Sequence, residues 1–214
     1  MTTHKVISTF RFGFNQSTLY LKIERNGLQF EPGSCVSMYN RTYSVASGMN
    51  EPNFLEFLIK LVPNGDASKQ FALLKPNDDV IITDIFSYFT PGKDQTNGNY
   101  TYFATSTGIA PFRSALLTYE HKPHSLFWGG KLLCECYDVI DFKNVNLRLA
   151  HSLYQPAYLP ARITEYTGEA KISQDHTYYL CGLDAMIDEV SNYLINKGIT
   201  YKQIQTEQFF QKTS

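Results

Sequence analysis

No stretch of this chain is apolar for long enough to span a bilayer, and no apolar leader follows Met1-Thr2-Thr3-His4. The expectation is a soluble, cytoplasmic protein without membrane attachment. Charge of one sign is missing too. Nineteen Lys and Arg against twenty Asp and Glu leave −1, which argues against a general nucleic-acid binder. Cysteine is scarce. Cys35, Cys134, Cys136 and Cys181 form no C-x-x-C pair, which leaves no zinc ribbon, thioredoxin-like motif or iron–sulfur spacing. The five histidines show no ligand spacing and are expected at the surface, so no metal is expected. Internal repeats and low-complexity segments are absent as well.

What is present is a chain of 214 residues, 43% hydrophobic, enough for one large or two small domains with packed cores. The first third reads as short strands between turns. Lys5–Phe12, Leu19–Glu24, Cys35–Tyr39 and Arg41–Ala46 alternate or carry β-formers, and Phe54–Val62 is a largely apolar run. This pattern predicts a small antiparallel barrel. Gly65-Asp66-Ala67-Ser68 then starts a helix that Pro76 stops. Residues 87–99, with Pro91, Gly92 and Gly98, read as a linker, after which the rhythm changes. Strands are expected at Tyr100–Ala104, Ser125–Trp128, Val145–Leu149, Tyr178–Cys181 and Gln203–Thr206. Helices are expected at Ala110–Glu120, Leu133–Phe142 and Met186–Lys197. Strands alternating with helices imply a parallel, Rossmann-like sheet. The expected domains are therefore 1–90 and 91–214.

Five short stretches carry chemistry. Arg41-Thr42-Tyr43-Ser44 offers a guanidinium for phosphate, a flat ring for a flavin and a hydroxyl for a ring nitrogen. Taken alone, these four residues are better accounted for by an ordinary amphipathic strand with Arg41 and Tyr43 at the surface. The helix start at Gly65, Ala67 and Ser68 presents backbone N–H groups suited to a phosphate, or simply covers an end of the barrel. Thr107, Gly108 and Pro111 lie in the turn from a strand to a helix, where a pyrophosphate sits in open parallel sheets. The stretch is not G-x-G-x-x-G. Cys181-Gly182 ends another strand, where a polarisable thiol suits a nicotinamide ring and equally suits a core. Glu207-Gln208-Phe209-Phe210 closes the pattern with two aromatics that pack a terminus or cover a flavin face.

Taken in order, Phe30-x-Pro-Gly33, Arg41-x-Tyr-Ser-x-Ala-Ser47, Gly65-x-x-Ser68, Thr107-Gly-Ile-Ala-Pro-Phe-Arg113, Gly129-Gly-Lys131, Cys181-Gly182 and Glu207-x-Phe209 resemble the ferredoxin–NADP⁺ reductase family. The resemblance spans almost the whole chain. It implies an FAD-binding barrel at 1–90 and an NAD(P)-binding α/β domain at 91–214. It implies electron transfer between NADPH and ferredoxin or flavodoxin by hydride transfer to or from bound FAD. Tyr43 would stack on the flavin and Ser44 would hydrogen-bond near its N5. Arg41, Thr42, Gly65, Ala67 and Ser68 would hold the flavin nucleotide. Thr107, Gly108 and Pro111 would take the NADP pyrophosphate. Cys181, Gly182 and Glu207 would flank the nicotinamide, and Phe209 would cover the other flavin face. Ser106 stands where many relatives have Gly, and a φ above zero there would cost about 1 kcal/mol or more. At the 2′-phosphate, His151-Ser152-Leu153 keeps Ser152 but lacks the adjacent Arg, leaving Lys131 or Arg162 to supply charge, with NAD as the other cofactor choice. The short flavin half keeps a free-flavin reductase in view. An oxygenase reductase component and a non-catalytic flavin-binding module are the other readings.

Overall fold

The computed structural model describes residues 1–132, 135, 142, 144–153 and 162–208. Phe209 and the helix expected over Leu133–Phe142, apart from Glu135 and Phe142, lie outside the described residues. The chain divides into two compact units, Met1–Pro91 with Ala110–Tyr119, and Gly92–Ile109 with Glu120–Ser214.

The first unit is built from β1 (Thr2–Phe12), β2 (Thr18–Glu24), β3 (Cys35–Met38), β4 (Arg41–Ser44), β5 (Phe54–Lys60), the helix α1 (Asp66–Leu73), β6 (Asp79–Ile82) and β7 (Ile85–Phe86). Two antiparallel sheets, ordered β5-β2-β1-β6 and β4-β3-β7, make a small barrel. A single bridge from Val45 to Phe57 links them. Period-two alternation sends His4 and Val6 of β1 inward and Lys5 outward. The apolar run of β5 is buried at nearly every position. Leu21, Ile23, Val36, Phe57 and Val80 pack with Phe71 of α1 into one core. Burying such side chains is worth about 1.5–3 kcal/mol each.

The second unit carries β8 (Tyr100–Thr105). The helix α2 (Ala110–Thr118) follows it in sequence but groups with the first unit. Next come β9 (Ser125–Gly130), β10 (Leu147–His151), β11 (Thr177–Gly182), α3 (Asp184–Asn196) and β12 (Ile204–Gln208). All five strands are parallel, in the order β10-β9-β8-β11-β12. Met186, Ile187, Val190 and Leu194 form the apolar stripe of α3, and they pack with Phe103, Phe127 and Leu180. This is the Rossmann-like half expected from the alternation of strands and helices. No helix among the described residues is long and apolar enough to cross a membrane. No cluster of metal-ligating side chains occurs among them either.

The expectation that the histidines lie at the surface is wrong for three of them, because His4, His151 and His176 are buried. His4 is accommodated by hydrogen bonding: its ring nitrogens meet Thr2 Oγ1 at 2.7 Å and the Glu24 carbonyl at 2.8 Å. His176 meets Thr101 Oγ1 at 2.8 Å through Nε2, and its Nδ1 has no partner. Burial, then the Lys171 and His124 charges, lower its pKa from 6.5 to about 4, against an opposing pull from Asp175. The fold therefore holds a neutral imidazole that the unfolded chain protonates first. Its contribution is complete above pH 6.5 and is lost as pH falls towards 4, at most about 3 kcal/mol. An NMR titration should place the His176 midpoint at about 4. A midpoint at the ordinary histidine value would refute this account.

Candidate functional site

In the first unit, β4 is an edge strand, so its side chains are open to ligand on one flank. Arg41 and Thr42 are exposed, Tyr43 is half-buried and Ser44 is buried. The turn into β4 passes through Tyr39 and Asn40 at φ +48° and +57°. Phe71 of α1 props the strand from behind, meeting Tyr43 edge-on at 5.0 Å and Tyr39 at 4.8 Å. Burial pushes the Tyr43 phenol up to about 12 despite the nearby Arg41 charge, so the ring stays uncharged.

Gly65 caps α1 in an extended conformation, and the first helical bond runs from Lys69 N–H to the Gly65 carbonyl. The amides of Asp66, Ala67 and Ser68 precede that bond and point out of the helix end. Ser68 Oγ accepts the Val62 N–H at 2.9 Å, which leaves its own proton to donate. A guanidinium, a helix start and a flat ring on neighbouring elements are the donor set that a flavin nucleotide requires. Asp66 also stands in the first helical turn, 3.4 Å from Lys69 Nζ, which offsets its charge.

In the second unit, the turn after β8 is tied down on three sides. Thr105 Oγ1 accepts the Leu183 N–H at 2.9 Å. The Ser106 carbonyl accepts the Trp128 indole N–H at 3.0 Å. Gly108 lies against the end of β11, where an added Cβ would fall 2.3 Å from the Cys181 carbonyl oxygen. Ser106 has φ +50°, the strained conformation foreseen for a non-glycine residue at this position. Gly182 has φ +137° and leaves room for Thr105. Thr107 is half-buried, and Pro111 is buried in the first turn of α2.

Parallel pairing of β11 with β12 sets Cys181 opposite Glu207. The thiol donates to Glu207 Oε2 at 3.4 Å. Complete burial, then the Glu207 charge, push the Cys181 pKa well up, so the sulfur keeps its proton at neutral pH. This pair holds a neutral thiol at the strand end, not a thiolate nucleophile. At the ends of β9 and β10, Lys131 and Ser152 are exposed neighbours. Arg162 is exposed as well, and leans towards Glu189 of α3 at 3.8 Å, a pairing of little energetic weight.

Comparison with known proteins fits this geometry. Residues 5–83 match the oxidoreductase FAD-binding domain. One polypeptide of the Na(+)-translocating NADH-quinone reductase of Mannheimia succiniciproducens is 27% identical over 201 residues, covering 79% of this chain and 48% of that protein. The leaf isozyme 1 chloroplastic ferredoxin–NADP reductase of Oryza sativa subsp. japonica is 28% identical over 161 residues, 63% of this chain and 44% of that one. A ferredoxin NADP⁺ reductase from Neisseria gonorrhoeae, solved with bound FAD and NADP, superposes with TM-score 0.78. It is 19% identical, over 98% of both chains. Residues 5–83 carry an oxidoreductase FAD-binding domain, and the two-unit fold is that of the ferredoxin–NADP⁺ reductases. The chain spans about half the length of the curated relatives it matches.

Sequence reading missed several buried polar groups. Glu56 of β5 and Arg113 of α2 form a buried ion pair at 2.6 Å. The signal for it was a lone carboxylate inside the apolar run FLEFLIK. Glu135 and His151 are buried at the end of the β9–β10 pair, and nothing local in the sequence marks them.

Proposed function

We propose that this chain is an oxidoreductase that passes electrons between NADPH and a one-electron carrier protein, ferredoxin or flavodoxin. Bound FAD would supply the exchange between a two-electron hydride and single electrons. The observation that carries this reading is the Cys181–Glu207 pair at the carboxyl ends of two parallel strands, where open sheets bind ligands. Glu207 holds the proton on Cys181 Sγ, so no thiolate would lie beneath a nicotinamide bound at this strand end. The tied-down turn at Thr107 and Gly108, followed by Pro111, offers backbone amides to a pyrophosphate. Gly182 gives the β11 end the room that Thr105 needs. Lys131 and Ser152 supply charge and a hydroxyl for a 2′-phosphate, with Arg162 within the same unit. In the first unit, Tyr43 provides a flat ring, Ser44 a hydrogen bond, and Arg41, Thr42, Gly65, Ala67 and Ser68 the grip on phosphate and ribose. Phe209 is assigned to the second flavin face on the resemblance alone.

The test is anaerobic mixing of purified protein with NADPH and, separately, NADH. The protein should be yellow and its visible absorbance should bleach, faster with NADPH. A colourless protein that reduces only added flavin would instead make it a flavin reductase. Replacing Ser44 by alanine should slow bleaching about tenfold, the worth of one hydrogen bond of roughly 1.4 kcal/mol. Thermal stability should change little. Unaltered reduction kinetics would remove Ser44 from its role.

A further inference from the structure

Past the ends of β9 and β10 the backbone pairing continues. The Ser152 N–H donates to the Gly130 carbonyl and the Leu153 N–H to the Lys131 carbonyl, both at 3.0 Å. On the other side, the Lys131 N–H donates to Glu135 Oε2 at 2.6 Å, a short charge-assisted bond. Glu135 is itself turned back, its N–H donating to the Leu132 carbonyl at 3.0 Å. Both backbone groups of Lys131 are thus held, so its exposed ammonium leaves from a fixed point beside Ser152. Glu135 is only 6% exposed, and a carboxylate is buried at a cost unless it is bonded. Gly130 makes room for it: an added Cβ would come within 3.2 Å of Glu135 Oε2.

His151 completes the arrangement. It is 3% exposed, and neither ring nitrogen has a hydrogen-bond partner among the described residues. Burial outweighs the field of Glu135 and keeps the imidazole below its ordinary pKa.

We infer that Glu135 is a positioning residue that sets Lys131 beside Ser152 and thereby gives the nucleotide site its preference for a 2′-phosphate. The inference rests on the nucleotide reading of the second unit, and it is tested by binding rather than turnover. Calorimetric titration of the full chain with 2′,5′-ADP and with 5′-ADP separates the contribution of the 2′-phosphate. Wild type should bind 2′,5′-ADP the more tightly. Glu135→Ala should weaken 2′,5′-ADP about tenfold and 5′-ADP by no more than about twofold. Glu135→Gln keeps an oxygen for the Lys131 N–H and should stay within about threefold of wild type for both. Equal losses for the two ligands in Glu135→Ala, or no loss in a folded variant, would overturn the positioning role. So would a wild type that binds the two ligands equally, a result that leaves the oxidoreductase reading standing. A wild type that binds neither would remove the nucleotide site itself.

Discussion

Replacing Glu56 by alanine is expected to destabilise the first unit by about 3–5 kcal/mol, the usual result of stripping one partner from a buried ion pair. Glu56 Oε2 accepts from Arg113 Nη1 at 2.6 Å, and Oε1 accepts from the Tyr20 hydroxyl at 2.5 Å. The same guanidinium nitrogen donates to the Ala46 carbonyl at 2.8 Å. Lys22 Nζ lies 3.6 Å from Oε1. Both members of the Glu56–Arg113 pair are under a tenth exposed. Without Glu56 the buried guanidinium loses the carboxylate that faces it. Burial alone would raise the Glu56 pKa, but Arg113, the Tyr20 hydroxyl and Lys22 outweigh it and the net shift is downward. A depressed carboxylate stabilises the fold above its unfolded value, near 4.5, and that contribution is lost as pH falls through the folded value. The decisive comparison is with Glu56→Leu combined with Arg113→Met, which removes both charges. Urea melts should find this double variant within about 1 kcal/mol of wild type. If it is as unstable as the single alanine variant, the loss comes from packing rather than from a stranded charge.

The pair also marks how far the sequence could be read. Periodicity located β5, β8, β11 and α3 to within one or two residues, because their burial follows a local pattern that one segment displays by itself. The helix start at Gly65 was legible for the same reason: a cap and a first turn are neighbours in the chain. Strand β7 was not legible. Ile85 and Phe86 are a strand only because Val36 and Cys35 of β3 pair with them. The strain at Ser106 was visible as a conditional cost, and its φ of +50° meets the condition. Long-range burial set the rest. His176 is buried through Thr101, some 75 positions away in the chain. Glu56 finds Arg113 at a separation of 57 positions. Among the candidate site residues, the structure brings Cys181 to Glu207 and Lys131 to Ser152, in each case by strand pairing that no short motif announces.

Gly108→Ala should produce a large functional loss from a single methyl added to the second unit. The constraint here is space, not backbone conformation. The new Cβ would sit 2.3 Å from the Cys181 carbonyl oxygen, 2.7 Å from its carbon and 2.9 Å from Gly182 Cα. All three are main-chain atoms, so no rotamer change relieves the clash. Either the turn after β8 must lift, or the end of β11 must retreat. The turn is pinned by Trp128 through Ser106 and by Leu183 through Thr105. The β11 end is pinned by its ladder to β12, which carries Glu207 opposite Cys181. Overpacking of this kind costs about 1–3 kcal/mol in stability. On the proposed function, the larger effect falls on hydride transfer from the nicotinamide nucleotide, because the residues that would face nicotinamide must shift. A displacement of about 1 Å at a reacting centre can cost roughly a hundredfold in rate. Gly168→Ala is the control, since an added Cβ there meets nothing within 4 Å. Gly168→Ala should melt and react like wild type, whereas Gly108→Ala should bleach roughly a hundredfold more slowly. A Gly108→Ala protein with wild-type reduction kinetics would show that the close approach of this turn to Cys181 does not position the reacting groups.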